Sequence, residues 1–460
     1  MGEYAPVTPD WRAPLLAGAT PVSVPFVGRD PTRWPGYVPR TAVQVWRLPT
    51  GPVAVTWDFS VYGGSFGEDD ATALVAAADL ACAEQVPLLS LVRSGGTRLQ
   101  EGMAALVGIP RARLALLALA EAGLPHLSVA DAPTTGGVWV TVASAADLRV
   151  AVVDATVGFA GPRVVEAVTG SRPDAGSHTG ASAYAAGLVD AALDEDDVPD
   201  WVQRALRALA PAAGTADGRV SGWPPPLPAR SGWEQVQASR APRPGGRDLL
   251  EALLGETTWL AAPHGDDTVT AAVGRLDGRP VVGVATAARP GLRPTPDGYR
   301  LLARAARLAD RLRLPLLSLV DTPGAEPGPQ AERDGVAPAM GDALDALLLC
   351  RSPTVSFVHG EGGSGGALAA AACDRVLVTA TGYFAAIAPE GAAAALRRPA
   401  QECADLMRVT PADLLALGAA DAAATTADLA TTVAALAAQD DARRLAGRRT
   451  RWSSPLPGRL

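Results

Sequence analysis

The chain has 460 residues, 48% of them hydrophobic and only 5% aromatic, which suits two or three domains with cores of Ala, Val and Leu. Its net charge of −8 and the absence of a dense arginine cluster exclude a nucleic-acid groove, which needs concentrated positive charge to neutralise phosphates. All 40 basic residues are arginine; without lysine there is no Walker A lysine, no Schiff base and no attachment point for a lysine-borne cofactor.

The start, MGEYAPVTPDWRAP, lacks a basic region followed by an apolar core, and no apolar run is read as approaching the roughly 20 residues that cross a bilayer. A cytoplasmic protein without a membrane partner is expected. Cys82, Cys350, Cys373 and Cys403 are scattered and form no CxxC pair, so neither a metal site nor a disulfide framework is expected.

In chain order, the first strand-like run with a partner elsewhere is PLLSLV, Pro87 to Val92, which recurs as Pro315 to Val320. The parallel extends further. PHLSVADAPTTGGV from Pro125 matches PTVSFVHGEGGSGGA from Pro353, and VGFAGPRVVEA around Pro162 matches YFAAIAPEGAA around Pro389. The offsets are 228, 228 and 227 positions, so the chain is a duplicated domain.

Each copy reads as strand, glycine loop, helix. Short β-rich runs (LLSLV, HLSVA, TVSFV, RVLVT) alternate with helical stretches such as ATALVAAADLACAEQ and DGYRLLARAARLADRL, the pattern of βα crossover units on a sheet. The expected organisation is an extension over 1–45, a first domain over 46–210, a Pro/Gly-rich linker over 211–246, a second domain over 247–440, and an arginine-rich surface tail over 441–460.

The chemistry is expected in the glycine pairs after the strands, Gly136 with Gly137 and Gly365 with Gly366. A glycine pair there lets the backbone approach a ligand closely and aim successive N–H groups at one point near a helix N-terminus. Such donors stabilise negative charge developing on a carbonyl oxygen. Close packing alone would also ask for glycine, but the pairs recur in both copies.

Of two other motif readings of Gly360 to Gly366, the sequence disfavours the first and excludes the second. Gly360, Gly362 and Gly365 fit G-x-G-x-x-G, yet no acidic residue lies about 20 positions on to hold a ribose. Gly362, Ser364 and Gly366 fit the nucleophile elbow G-x-S-x-G, yet no histidine follows His359. His359 remains as a local base for Ser364 or as a structural histidine.

These motifs resemble the carboxyltransferase component of biotin-dependent acyl-CoA carboxylases. SGGTRLQEG (Ser94 to Gly102), APTTGGV and VGFAGPRVVE look like the β subunit of bacterial acetyl-CoA carboxylase. DTPGAEPGPQAERDG (Asp321 to Gly335), GEGGSGGALA and APEGAAA look like the α subunit. The resemblance implies an α/β fold of two tandem crotonase-like ββα superhelix domains. It implies carboxyl transfer from carboxybiotin on a separate carrier protein to an acyl-CoA, by default acetyl-CoA to malonyl-CoA. Malonyl-thioester decarboxylation and non-catalytic acyl-CoA binding stand as alternatives. Two oxyanion holes would come from Gly136, Gly137, Gly365 and Gly366. Ser94, Gly95, Gly96 and Arg98, with Arg289 and Arg293, would bind the acyl-CoA. Implied partners are the biotin carboxyl carrier protein, biotin carboxylase and a second copy of the chain, the site forming where the first domain of one copy faces the second domain of another. The four-cysteine zinc ribbon of the bacterial β subunit is missing, Cys82 being the only cysteine of the first half, and Glu326 replaces an aromatic in the DTPG loop.

Overall fold

The computed structural model describes residues 10–212 and 227–454. They fall into two units divided between Leu206 and Arg207, each built on its own eight-stranded sheet.

In the first unit the strands are β1 (Thr20–Val22), β2 (Val43–Arg47), β3 (Val53–Trp57), β4 (Leu88–Ser94), β5 (His126–Thr135), β6 (Leu148–Val152), β7 (Val157–Gly158) and β8 (Ala191–Leu193). β1, β2 and β3 pair antiparallel; β3, β4, β5, β6 and β8 continue in parallel, and β7 adds to the end of β5. The second unit repeats this with β9 (Leu254–Leu260), β10 (Thr270–Leu276), β11 (Arg279–Ala285), β12 (Leu316–Thr322), β13 (Thr354–Gly363), β14 (Arg375–Val378), β15 (Tyr383–Ala385) and β16 (Ala422–Ala423).

The repeated PLLSLV stretch is the central strand of each sheet, β4 and β12. Such a strand is covered on both faces and reads as a continuous apolar run. Its one polar residue is buried and satisfied: Ser90 Oγ lies 2.9 Å from His126 Nε2, and Ser318 Oγ donates to the Ala370 carbonyl at 2.7 Å. The register repeats too, Ser90 opposite Ser128 and Ser318 opposite Ser356.

Three expectations need correction. Within the stretch read as a linker, 213–226 lie outside the described residues, but Gly232–Ser239 is a helix of the second unit. Ser231 caps it through Glu234 N–H, Val236 packs with Tyr383 and Val409, and Gln235 donates to the Gly382 carbonyl at 2.8 Å. Proline and glycine at its flanks concealed this short helix.

The tail is likewise a helix, Asp441–Ser453, with two of its arginines buried. Arg448 clasps Asp374 with both Nε (2.7 Å) and Nη2 (2.6 Å), and Arg444 Nη1 reaches Asp374 and the Ser352 carbonyl. Asp374 also accepts the Thr354 N–H at 2.8 Å, so the helix ties the starts of β13 and β14 together. Residues 455–460 lie outside the described residues.

Finally, Met103–Glu121 is long and apolar enough to cross a bilayer by length and composition, although Pro110, Arg111 and Arg113 interrupt it. One side packs on the helix Glu68–Glu84. Its outward side exposes Met103, Leu106, Val107, Leu114 and Leu117.

Candidate active site

Each sheet ends its fifth strand in a glycine turn that starts a helix. β5 leads into Gly136–Val138, and β13 leads into Ser364–Ala371. The first N–H groups of a helix have no partner inside it, so each turn presents orphan donors at the positive end of the helix dipole.

The glycine pairs are offset by one residue between the units. The 228-residue repeat places Gly136 opposite Ser364, Gly137 opposite Gly365, and Val138 opposite Gly366. Gly136 and Ser364 both take the left-handed conformation, with φ of 68° and 65°. Gly136 is moreover spent as a donor, its N–H bonding the Phe159 carbonyl at 3.0 Å. The orphan donors of the first turn are therefore Gly137 and Val138, a residue that glycine-pair reasoning missed.

In the second turn Gly365 is exposed, with nothing closer to its absent side chain than Met340 Cε at 4.0 Å. Gly366 is enclosed: a Cβ there would stand 2.4 Å from Ala325 N and 2.6 Å from the Tyr299 hydroxyl. That hydroxyl is fully buried with no hydrogen-bond partner among the described residues, and burial raises its pKa.

The expected acyl-CoA loop, Ser94 to Gly96, lies against the first turn, since a Cβ on Gly136 would stand 2.9 Å from Gly96 Cα. Its amides are already used. Gly95 N–H bonds the Gly63 carbonyl at 3.0 Å, and Gly96 N–H bonds the buried Ser94 Oγ at 3.2 Å. The loop shapes the wall of the turn.

Arg98 is placed where no ligand reaches it. It is 0% exposed, paired with Asp70 at 2.6 Å and Glu101 at 3.2 Å, and donates to the Arg40 and Ser65 carbonyls. Asp70 in turn accepts the N–H groups of Ala42, Val43 and Gly67. A fully satisfied buried arginine is a structural clamp, and this overturns its expected substrate role. Glu101 lies three positions from Arg98 in the sequence, whereas Asp70 lies 28 positions upstream on the helix Glu68–Glu84 and gave no local signal.

Arg289 is exposed and paired with Asp267 at 2.6 Å. Arg293 is half-buried, and its Nη1 lies 3.7 Å from where a Cβ on Gly324 would stand, a point 3.9 Å from Ser364 Cβ. Arg293 alone of the expected arginines thus reaches the second turn, and no partner for it exists among the described residues. His359 stacks on Phe357 with centroids 6.2 Å apart, its Nε2 buried with no partner among the described residues, and burial holds its pKa below the ordinary value. It makes no bond to Ser364. Among the described residues no group of three or more His, Cys, Asp and Glu side chains is placed to hold a metal ion.

Two sheets of one topology each present orphan amides at a strand-to-helix turn. Residues 229–431 match the family model described as acetyl co-enzyme A carboxylase carboxyltransferase-like. A Salinispora tropica acetyl-coenzyme A carboxylase carboxyl transferase subunits beta/alpha protein is 37% identical over 404 residues, covering 80% of this chain and 70% of the relative. A Mycobacterium bovis protein described as a probable biotin-dependent acyl-coenzyme A carboxylase beta3 subunit is 34% identical over 376 residues, covering 80% and 76%. Among solved structures, transcarboxylase 12S with methylmalonyl-coenzyme A and methylmalonic acid bound has the same fold, with TM-score 0.73, 24% identity, and coverage of 92% and 84%. The chain belongs to the acetyl-CoA carboxylase carboxyltransferase family and is a biotin-dependent carboxyltransferase.

Proposed function

We propose that this enzyme moves a carboxyl group between biotin and the α-carbon of an acyl-CoA, acetyl-CoA being the default acceptor. The observation that carries the reading is the repeated turn: Gly137 and Val138 in one unit, Gly365 and Gly366 in the other, each pair a set of orphan donors for one oxygen. The two sets of donors would each hold one carbonyl oxygen, that of the acyl thioester and that of bound biotin, as negative charge develops there.

The residues present fit biotin. The open face at Gly365 admits a ligand, its amides suit the neutral oxygen of a cyclic urea, and no lysine in these 460 residues carries the cofactor covalently. When bound, biotin supplies the carboxyl group and the base, which accounts for a site without a catalytic histidine, thiol or carboxylate pair. The chain's own part is to hold both carbonyl oxygens with backbone donors. Arg293, unpaired beside the second turn, is the arginine suited to an anionic part of the substrate. The carrier protein and biotin carboxylase are the inferred partners, in the cytoplasm. A second copy of the chain is inferred to cover the exposed apolar face of Met103–Glu121.

The test is acetyl-CoA release from malonyl-CoA by purified protein, with and without free biotin. Release that depends on biotin is expected; equal release without biotin rejects the reading and favours simple decarboxylation. Gly365→Pro removes one donor, and a loss of at least about 100-fold in kcat is expected. Because a following proline disfavours the left-handed Ser364, the variant is made together with Ser364→Gly and its melting temperature is measured.

A further inference from the structure

Gly360 precedes the second turn by several residues and contributes no donor to it, yet its place is tightly filled. A Cβ there would stand 2.2 Å from Asp321 Oδ1 and 2.7 Å from Arg243 Nε. The glycine makes room for an ion pair. Arg243 grips Asp321 bidentately, Nε to Oδ2 and Nη2 to Oδ1 both at 2.7 Å, with Asp321 side chain 1% exposed.

The pair is joined to the turn on two sides. Asp321 Oδ1 accepts the Glu361 N–H at 2.9 Å, which fixes β13 just before its glycines. Asp321 also begins the stretch packed against them. A Cβ on Gly363 would stand 2.2 Å from the Pro323 carbonyl oxygen, and one on Gly366 meets Ala325 N. A shift of Asp321 therefore moves both walls of the second turn. Its own N–H is anchored to Thr286 Oγ1 at 3.0 Å.

Charge gives the arginine a second task. A bare buried carboxylate at the base of this turn opposes any negative charge gathered by the amides. Arg243 cancels Asp321, and Arg240 bonds the buried Glu361 through Nε at 2.8 Å while its Nη atoms bond the exposed Glu390, with the Tyr383 hydroxyl bonding Glu361 at 3.0 Å. In the first unit the position equivalent to Asp321 is Arg93, whose Nε donates to the Ala132 carbonyl at 2.8 Å. The same place in each repeat tethers the strand before the glycine turn, with opposite charge and opposite hydrogen-bond polarity.

We infer that Arg243 and Asp321 are positioning residues for the second glycine turn, setting its geometry through the Glu361 N–H and keeping its base electrically neutral. The inference rests on the reading of that turn as an oxyanion hole.

The experiment measures kcat and KM for biotin-dependent acetyl-CoA release from malonyl-CoA, with melting temperatures, on the full chain and four variants. Asp321→Asn keeps an acceptor for Glu361 N–H, and kcat within about threefold of wild type is expected. Asp321→Ala removes it; a fall of about 30-fold or more in kcat is expected at nearly constant KM, since small misplacements of a catalytic group cost up to about 100-fold. Arg243→Gln strands the carboxylate and lowers kcat at least about tenfold, and adding Asp321→Asn restores most of that loss. If Asp321→Ala does not fold, the Arg243→Gln single and double variants decide the matter. Wild-type kcat in Asp321→Ala or in Arg243→Gln, or a double variant no better than Arg243→Gln, overturns the inference while leaving the function standing. A wild type silent with malonyl-CoA overturns the functional reading itself.

Discussion

At the scale of single residues, the two turns solve one backbone problem with different chemistry. Both need a left-handed residue where strand becomes helix; the first uses Gly136 and the second Ser364. A side chain in that region costs roughly 1–2 kcal/mol, partly offset by the greater entropy glycine loses on folding. Ser364→Gly is therefore expected to raise the melting temperature of the second unit by a few degrees or less, as differential scanning calorimetry would show. Gly365→Ala should fold like wild type because its surroundings are open, whereas Gly366→Ala must displace Ala325 and should lose both activity and stability. His359 makes a pH prediction. Burial keeps it neutral in the fold, while the unfolded chain takes up a proton near pH 6.5. Its contribution is thus intact above that pH and is lost as the pH falls through it, by at most about 1.4 kcal/mol per unit. Urea unfolding at pH 7.5 and 5.5 should show a smaller difference for His359→Phe than for wild type. Residue roles were the least legible part of the sequence. The glycines announced their turns by position, but Arg98 and Arg243 look alike as letters, and only the buried carboxylates facing them reveal that one clamps a loop and the other flanks the site.

Among the elements, the strands were legible because central parallel strands must be apolar on both faces, and LLSLV cannot be read otherwise. The helices Gly232–Ser239 and Asp441–Ser453 were hidden for opposite reasons. The first is short and flanked by prolines; the second is so rich in arginine that its sequence reads as solvated, with five of its residues cationic. What buries it is Asp374, 70 and 74 positions away from Arg444 and Arg448. Removing one partner of a buried ion pair typically costs about 3–5 kcal/mol because the other charge is left stranded. Asp374→Ala should lower the urea midpoint of the second unit accordingly. Replacing Arg448 by Met should cost a similar amount, and combining the two should cost less than their sum.

For the whole molecule, the duplication was visible because three segments keep a near-constant spacing, and the shared topology of the two sheets explains why spacing survives where side chains differ. The cysteines offer a readout that separates the units. Cys82 belongs to the first unit, while Cys350, Cys373 and Cys403 are buried in the second. Burial pushes the Cys350 thiol up to about 11 and the Cys373 thiol up to about 12, so neither is a thiolate near neutral pH. A thiol reagent at pH 8 should leave these two unlabelled in the native protein, and their labelling across a urea series should follow unfolding of the second unit. Fast native labelling of Cys373 would contradict the packing described.

The clasp formed by Asp441–Ser453 bears on how the chain is made. The first unit has its full sheet once residue 206 is synthesised, so it can fold while the rest is still being translated. The second lacks the Arg448 tie at the starts of β13 and β14 until that residue emerges, more than 200 residues later, which at bacterial or eukaryotic synthesis rates is on the order of tens of seconds. During that interval the second sheet lacks the arginines that neutralise Asp374. Truncations upstream of Arg444 should therefore yield a well-folded first half attached to an aggregating second half, whatever their effect on the glycine turns.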